Sequence, residues 1–254
     1  MARGGDGMTR RSPRAQDLDP DLVLRAYAMG VFPMAEHRDD PSVFWVEPRQ
    51  RAILPLNGFH LSRSLRKTLV SDRYRVTADT AFDRIIALCA EPVEGRPDTW
   101  INPAIERVFI ELHQRGLAHS VECWDGERLV GGLYGLALGR AFFGESMVSR
   151  ARDASKVAIA TLVARLRAGG FELLDCQFMT DHLATLGAIE VARELYLSLL
   201  SVALGEGSAG LAGGGAGVAA DFGALDRLAG ASSSPTASPP VSGKVIAQFL
   251  TQTS

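Results

Sequence analysis

The run "ERLVGGLYGLALGRAFFGESMV", Glu127–Val148, decides the architecture. Its two β-rich stretches follow a third, "LAHSVECW", Leu117–Trp124, and the connecting "DGE" and "LGR" have the turn chemistry of an antiparallel meander. The last of these strands contains an interruption. Glu145 and Ser146 stand between the apolar Phe142 and Phe143 and the apolar Met147. Gly144, just before them, permits a close backbone approach. A carboxyl and a hydroxyl at that point mean that the strand end borders something polar.

Downstream, Asp153 and Ser155 begin an apolar-periodic helix over Lys156–Ala168 that Gly169 and Gly170 close. "FELLDCQF" then reads as a strand, and "TDHLATLG" as a short helix capped by Thr180 or Asp181. Upstream, "DLDPDLVLRAYAMGVFP" reads as a short helix stopped by Gly30 and Pro33. "SVFWV" and "RAILPL" make a hairpin or two linked strands. Ser62–Leu69 reads as a helix, Tyr74–Thr77 as extended, and "TAFDRIIALCA" as a helix with Thr80 as its cap. Pro103 opens a helix that Gly116 ends.

Three antiparallel strands, a helix and a crossover strand are the layout of acyltransferase domains of the GNAT type, an analogy of fold and not of substrate. A coenzyme A enzyme of that layout needs a glycine-rich turn of N–H donors for the pyrophosphate. Here the connection is "SRARDASK", Ser149–Lys156, without a glycine. The expected class is α+β: a leader over 1–16, a small N-terminal α+β domain over 17–95, a GNAT-like domain over 96–204 and a low-complexity tail over 205–254. The tail is rich in Gly, Ala, Ser and Pro and buries too little apolar area to offset its ordering entropy. Its last residues, "VSGKVIAQFLTQTS", regain apolar character and are expected to dock back, as an edge strand.

With 254 residues, 46% of them hydrophobic and 22% charged, the chain has ample apolar surface for a core. No run approaches the roughly 20 apolar residues that cross a bilayer, and the basic N-terminus lacks the apolar stretch of a secretory signal. The expectation is a soluble, monomeric, cytoplasmic protein without a membrane partner. Three dispersed cysteines and five scattered histidines give neither a disulfide framework nor metal-ligand spacing, so no metal is expected.

Net charge is −2, so a polyanion has to meet a local patch. Arg63, Arg66, Lys67, Arg73 and Arg75 gather in "HLSRSLRKTLVSDRYR" with one acid, Asp72. The cluster is either a solvated helix face or a phosphate contact. Asp175 and Gln177 end the strand "FELLDCQ" at period-two spacing, which puts both on one face. They either frame a cleft or cap the following helix. If this strand lies beside the "AFFGESM" strand, Glu145, Asp175 and Gln177 meet in one polar spot among apolar Leu133, Phe142, Met147, Leu166 and Leu174.

The strings "YAMGVFPM", "FWVEPRQRAILPL", "FHLSRSL", "TWINPAI", "LHQRGLAHSVECW", "LVGGLYGLALGRAFFGESM", "DASKVA", "LLDCQF" and "HLATLGAIEVAR" resemble, in order, the leucyl/phenylalanyl-tRNA–protein transferase family. The resemblance spans about Asp21 to Tyr196. It implies an N-end-rule enzyme that moves leucine, phenylalanine or, less well, methionine from aminoacyl-tRNA onto the N-terminal Arg or Lys of a protein. It also implies a GNAT-like catalytic part and no cofactor.

By the same resemblance, Gln177 orients the attacking amine, and Asp175 polarises the relay and suits a cationic acceptor residue. Glu145 and Ser146 support that network. Leu133, Phe142, Met147, Leu166 and Leu174 match the pocket for the aminoacyl side chain. Trp45 and Trp100 match tryptophans near the tRNA 3′ end, and Arg63, Arg66, Lys67 and Arg73 fall in the region that meets acceptor-arm phosphates. The chain departs from the family pattern at Ala192, where proline is usual, and at Val148 and Leu186, where phenylalanine is common.

Overall fold

A strand such as Ala141–Ser149, apolar on both sides, requires cover on each face of its sheet. The computed structural model, which describes residues 18–92, 98–205, 220–230 and 240–251, provides helices on both. The leader expected over 1–16 and most of the tail lie outside the described residues.

The chain opens with α1 (Pro20–Ala28), where the Asp19 side chain accepts the Asp21 N–H and proline occupies the first turn. The short strands β1 (Phe32–Met34) and β2 (Phe44–Val46) pair with each other. Then come β3 (Gln50–Ile53), α2 (Arg63–Val70), β4 (Arg75–Ala78), α3 (Phe82–Ala90) and α4 (Pro103–Gln114). The meander is β5 (Ala118–Asp125), β6 (Arg128–Leu138) and β7 (Ala141–Ser149). It leads into α5 (Ala154–Ala168), β8 (Leu173–Gln177), α6 (Asp181–Ala184), β9 (Ile189–Ala192) and α7 (Arg193–Leu204). The C-terminal part contributes α8 (Ala224–Leu228) and α9 (Gly243–Thr251).

One seven-stranded sheet runs in the order β4-β5-β6-β7-β8-β3-β9. Its pairs are antiparallel except β7 with β8, which α5 connects as a parallel crossover. "FWVEPRQRAILPL" therefore forms linked strands of two sheets, since β2 stays in the small hairpin while β3 inserts between β8 and β9. The boundary expected near residue 95 is crossed by this sheet, because β3 and β4 precede it and their partners follow it.

Apolar residues separate by face. Leu65, Leu133, Phe142, Leu162, Val163 and Leu174 form one core with α5 and α9, while Tyr27, Ile85, Phe109, Tyr134, Phe143 and Tyr196 form the other with α1, α3, α4 and α7.

Two local readings need correction. Thr80 does not cap α3; its hydroxyl bonds the buried Glu122, whose Oε1 itself accepts the Ala81 N–H. The last segment docks as helix α9 instead of an edge strand, because Val245, Ile246, Phe249 and Leu250 repeat at helical spacing against α2 and α5. Gly243 permits that contact: a Cβ there would lie 1.9 Å from the Leu69 carbonyl oxygen.

Candidate active site

The cleft begins where β7 and β8 cease to pair. Their parallel register runs from Ala141 opposite Leu173 to Phe143 opposite Asp175. Beyond it each strand carries a bulge. Against β6, Gly144 faces Gly135 and Ser146 faces Tyr134, which leaves Glu145 as the extra residue. Against β3, Asp175 faces Ile53 and Gln177 faces Ala52, which leaves Cys176 as the extra residue. A bulge re-aims the side chains around it.

The second bulge overturns the expectation that Asp175 and Gln177 share a face. Their partners Ile53 and Ala52 are consecutive on β3, so side-chain alternation sends Asp175 toward α7 and Gln177 toward α5. Gln177 also has φ +63°, a left-handed conformation that costs a non-glycine residue about 1–3 kcal/mol. Its backbone N–H is held by Asp175 Oδ1 at 2.8 Å, an Asx-type turn that favours this geometry.

Across the gap, Gln177 Nε2 donates to Glu145 Oε1 at 3.0 Å. That contact orients the amide and leaves its oxygen as the acceptor without a partner among the described residues. Glu145 is nearly buried, and burial pushes its carboxyl from 4.5 up to about 8, against the opposing pull of Tyr27 and Gln177. Among the described residues, Glu145 Oε2 and the hydroxyls of Tyr27 and Tyr134 have no hydrogen-bond partner of good geometry. Burial, with Glu145 beside them, holds both phenols well above their ordinary value.

Glu145 and Tyr134, but not Tyr27, border a cavity of about 430 Å³ walled by Trp100, Leu133, Met147, Leu162, Leu174 and Phe178, with Glu145, Ser146 and Gln177 on its polar side. An apolar hollow with a few convergent polar groups is the usual form of a small-ligand site. His182 lies on the same wall, with its Nε2 unpartnered among the described residues and its pKa lowered by burial and by Lys156.

The structure gathers Glu145, Ser146, Gln177, Leu133, Met147, Leu174 and Trp100 around this cavity. Phe142 and Leu166 do not line it; both are fully buried, with Phe142 stacked on Phe222. Trp45 sits apart on the β1–β2 hairpin, 38% exposed. Asp175 is completely buried and faces away. Its carboxylate is bound by the Arg51 guanidinium, with Nη2 at 2.6 Å, and by the Tyr196 hydroxyl at 2.8 Å. The charge expected to greet a cationic acceptor is thus already paired. On α2, Arg63, Arg66 and Lys67 are exposed without an ion-pair partner among the described residues, whereas Arg73 is bound through both terminal nitrogens to Asp125 at 3.0 and 2.8 Å.

Sequence reasoning missed Arg51, Tyr196, Tyr27 and Phe178. Arg51 left a signal: it stands two residues before Ile53 in a run of apolar β-formers, so it shares the core face and requires a buried acid. Asp175, embedded in "FELLDCQ", makes the reciprocal demand.

Residues 53–201 match the family model described as leucyl/phenylalanyl-tRNA protein transferase, and residues 16–49 match the one for that protein's N-terminal domain. A leucyl/phenylalanyl-tRNA–protein transferase of Rhizorhabdus wittichii is 61% identical over 245 residues, covering 93% of this chain and 99% of that relative. Its counterpart in Novosphingobium aromaticivorans is 50% identical over 272 aligned positions, covering 97% of this chain and all of the relative. The one from Zymomonas mobilis is 61% identical over 187 residues, covering 74% of this chain and 70% of that relative. No helix among the described residues is long and apolar enough to cross a membrane.

Proposed function

The chain belongs to the leucyl/phenylalanyl-tRNA–protein transferase family, and we propose that the cleft between β7 and β8 is where it joins an aminoacyl group to a protein N-terminus. The enzyme is an aminoacyltransferase that takes leucine or phenylalanine from aminoacyl-tRNA and gives it to an N-terminal arginine or lysine. Methionine is a poorer donor. The reaction belongs in the cytoplasm, on a GNAT-like domain acting as a monomer, and marks the acceptor for N-end-rule degradation.

The chemistry asks little beyond alignment, since the ester is already activated. The α-amine nitrogen attacks the ester carbonyl carbon, the C–N bond forms, the C–O bond to the ribose breaks, and the amine proton ends on the departing ribose oxygen. The observation that carries the reading is the Gln177 amide, tied to Glu145 through Nε2 at 3.0 Å so that Oε1 is free to accept from the amine. An amide is a weak base. Glu145, whose carboxyl burial pushes up to about 8, is matched to an α-ammonium of about 7.7–8.0 and takes the proton that the ammonium gives up before the attack.

Leu133, Met147 and Leu174 supply the apolar wall for the aminoacyl side chain, and Phe142 and Leu166 belong to the same apolar core outside the lining. Methionine adapts to an aliphatic or an aromatic guest. Trp100 on the wall, and Trp45 on the hairpin, suit stacking with the unpaired bases of a tRNA 3′ end. Arg63, Arg66 and Lys67 are the phosphate contacts, with Arg73 a lesser one because Asp125 already holds it.

The test is transfer of radiolabelled leucine from Leu-tRNA to peptides that begin with Arg or with Ala. Label is expected on the first and not on the second. Normal tRNA binding without any transfer would reduce the chain to a tRNA-binding module.

A further inference from the structure

Behind the cleft, Arg51 and Asp175 are 1% and 0% exposed. Arg51 Nε lies 2.9 and 3.1 Å from the two carboxylate oxygens, and Nη2 lies 2.6 Å from Oδ2. Nη1 donates to the Gly30 carbonyl at 3.2 Å. The planar guanidinium is sandwiched between Phe32 and Tyr196, 4.6 and 4.7 Å from their ring centres. Tyr196 adds its hydroxyl to Asp175 Oδ2, and Asp175 Oδ1 accepts the backbone N–H of Gln177. Every acceptor direction of the carboxylate that matters is therefore used, and the last of them holds the residue that carries the catalytic amide.

We infer that Arg51 is a positioning residue for the transfer reaction: together with Tyr196 it fixes the Asp175 carboxylate, which locks Gln177 in the left-handed conformation that aims its amide into the cleft. This rests on the reading of the cleft given above. In this arrangement Asp175 works as a conformational strut, and its charge serves Arg51 instead of the reacting amine. A buried ion pair contributes little net stability over an apolar replacement, so stability alone is a weak reason to keep one here. Lysine cannot replace the arginine, because it offers neither the bidentate fork nor the flat face for two rings.

The clamp also ties the N-terminal segment to the chemistry. Gly30, which presents its carbonyl to Arg51, has φ +78°, and a Cβ there would meet Tyr196 and Leu197 at 3.0 Å. The turn after helix α1 thus holds Arg51, while strand β3 and helix α7 meet on one carboxylate, which also holds the Gln177 N–H. The run "PRQR" before the apolar part of β3, which no chemistry in the cleft itself uses, acquires a purpose.

The experiment compares the full chain with Arg51→Met, Asp175→Asn, the double variant Arg51→Met/Asp175→Asn, and Tyr196→Phe. Each is assayed for kcat and for KM toward Leu-tRNA and an Arg-peptide, with the Gln177 backbone amide followed by ¹H–¹⁵N NMR. Arg51→Met is expected to lower kcat about 100-fold, the effect of a misplaced reacting group, while KM for Leu-tRNA stays within about twofold. Its Gln177 amide signal should move. The double variant should recover at least about tenfold over the weaker single variant, since asparagine still offers Oδ1 to the Gln177 N–H and no charge remains buried alone.

A double variant no better than Asp175→Asn would overturn the inference, because it would mean that the aspartate charge itself acts in the chemistry. An unchanged kcat or an unmoved amide signal in Arg51→Met would overturn it too. Should Arg51→Met not fold, Tyr196→Phe decides: a fall in kcat with KM unchanged supports the clamp, and an unaltered kcat refutes it. An unsubstituted chain that transfers no leucine would instead sink the functional reading on which the clamp depends.

Discussion

Two polar assemblies lie back to back on the tip of β8, and they are built on opposite rules. Behind the strand, Asp175 accepts from Arg51, Tyr196 and the Gln177 backbone, so that its carboxylate has no unmet demand. In front, Glu145 Oε2 and the Tyr134 hydroxyl, both at the cavity, lack partners of good geometry among the described residues. Buried polar groups in folded proteins are nearly always bonded, and the exceptions ask for an explanation. The satisfied side is expected to hold geometry and the unsatisfied side to meet substrate. Substitutions on the two sides should therefore fail in different ways.

The largest effect is expected at the amide that joins them. Gln177→Ala should lower kcat by about 100-fold or more, the range of a lost proton-transfer or orienting group, with tRNA affinity nearly unchanged. Single-turnover transfer alongside a filter-binding titration measures both. Equal losses in the two would break the division between a positioning side and a reacting side.

Glu145 sharpens the comparison through pH. In the folded chain it keeps its proton until about pH 8, whereas the ordinary value is 4.5. Between those values the folded state binds the extra proton, so its contribution to stability falls as pH rises through the window and levels off above about 8. Activity should move the other way, rising as Glu145 becomes able to accept a proton. Glu145→Gln is expected to remove both trends, with a melting temperature that no longer declines from this source and a pH–rate profile that retains only the rise due to the substrate amine. A variant whose profile matches the parent would remove Glu145 from the proton path.

The order of strands and helices was legible because period-two and period-3.6 patterns alternate cleanly from Leu117 to Leu183. The meeting of Glu145 with Gln177 was legible for the same reason, since a meander and a right-handed crossover bring β7 beside β8. The facing of Asp175 was not. Period-two logic fails at a bulge, and nothing in "LLDCQF" announces that Cys176 is the extra residue, because that depends on the register of β3 some 120 residues earlier. Insertion of β3 beside β8 is a long-range choice of the same kind. It hid Arg51, whose partner was the residue already under suspicion. Phe142 and Leu166 were matched by resemblance to the pocket wall, yet both are fully buried outside the cavity lining, and an apolar pattern cannot tell a wall residue from one in the packed layer beyond it.

That layering gives the next, smaller effect. Met147 lines the cavity, while Phe142 is fully buried outside the lining and stacked on Phe222. Met147→Ala should shift the preference between leucine and phenylalanine by about tenfold, the scale of one or two methylenes in an apolar pocket. Phe142→Ala should act chiefly on stability, by about 3–5 kcal/mol, as for any large core truncation. Competition between Leu-tRNA and Phe-tRNA, and urea melts, separate the two.

The smallest effect belongs to the surface, where the contrast between satisfied and free groups recurs in miniature. Lys67 on α2 is exposed and unpaired among the described residues, while Arg73 is clasped by Asp125. Lys67→Ala should weaken tRNA binding and make the log–log dependence of affinity on salt shallower by about 1, the signature of one lost phosphate contact. Arg73→Ala should change that slope much less, because its guanidinium must first leave a carboxylate and because removing it frees the Asp125 charge, adding repulsion that the slope alone does not report. An exposed ion pair is worth only about 0–1 kcal/mol, so the difference between the two variants should be modest and vanish at high salt. Equal slopes for both would mean that Arg73 exchanges Asp125 for phosphate when tRNA arrives, and Asp125→Asn should then tighten binding.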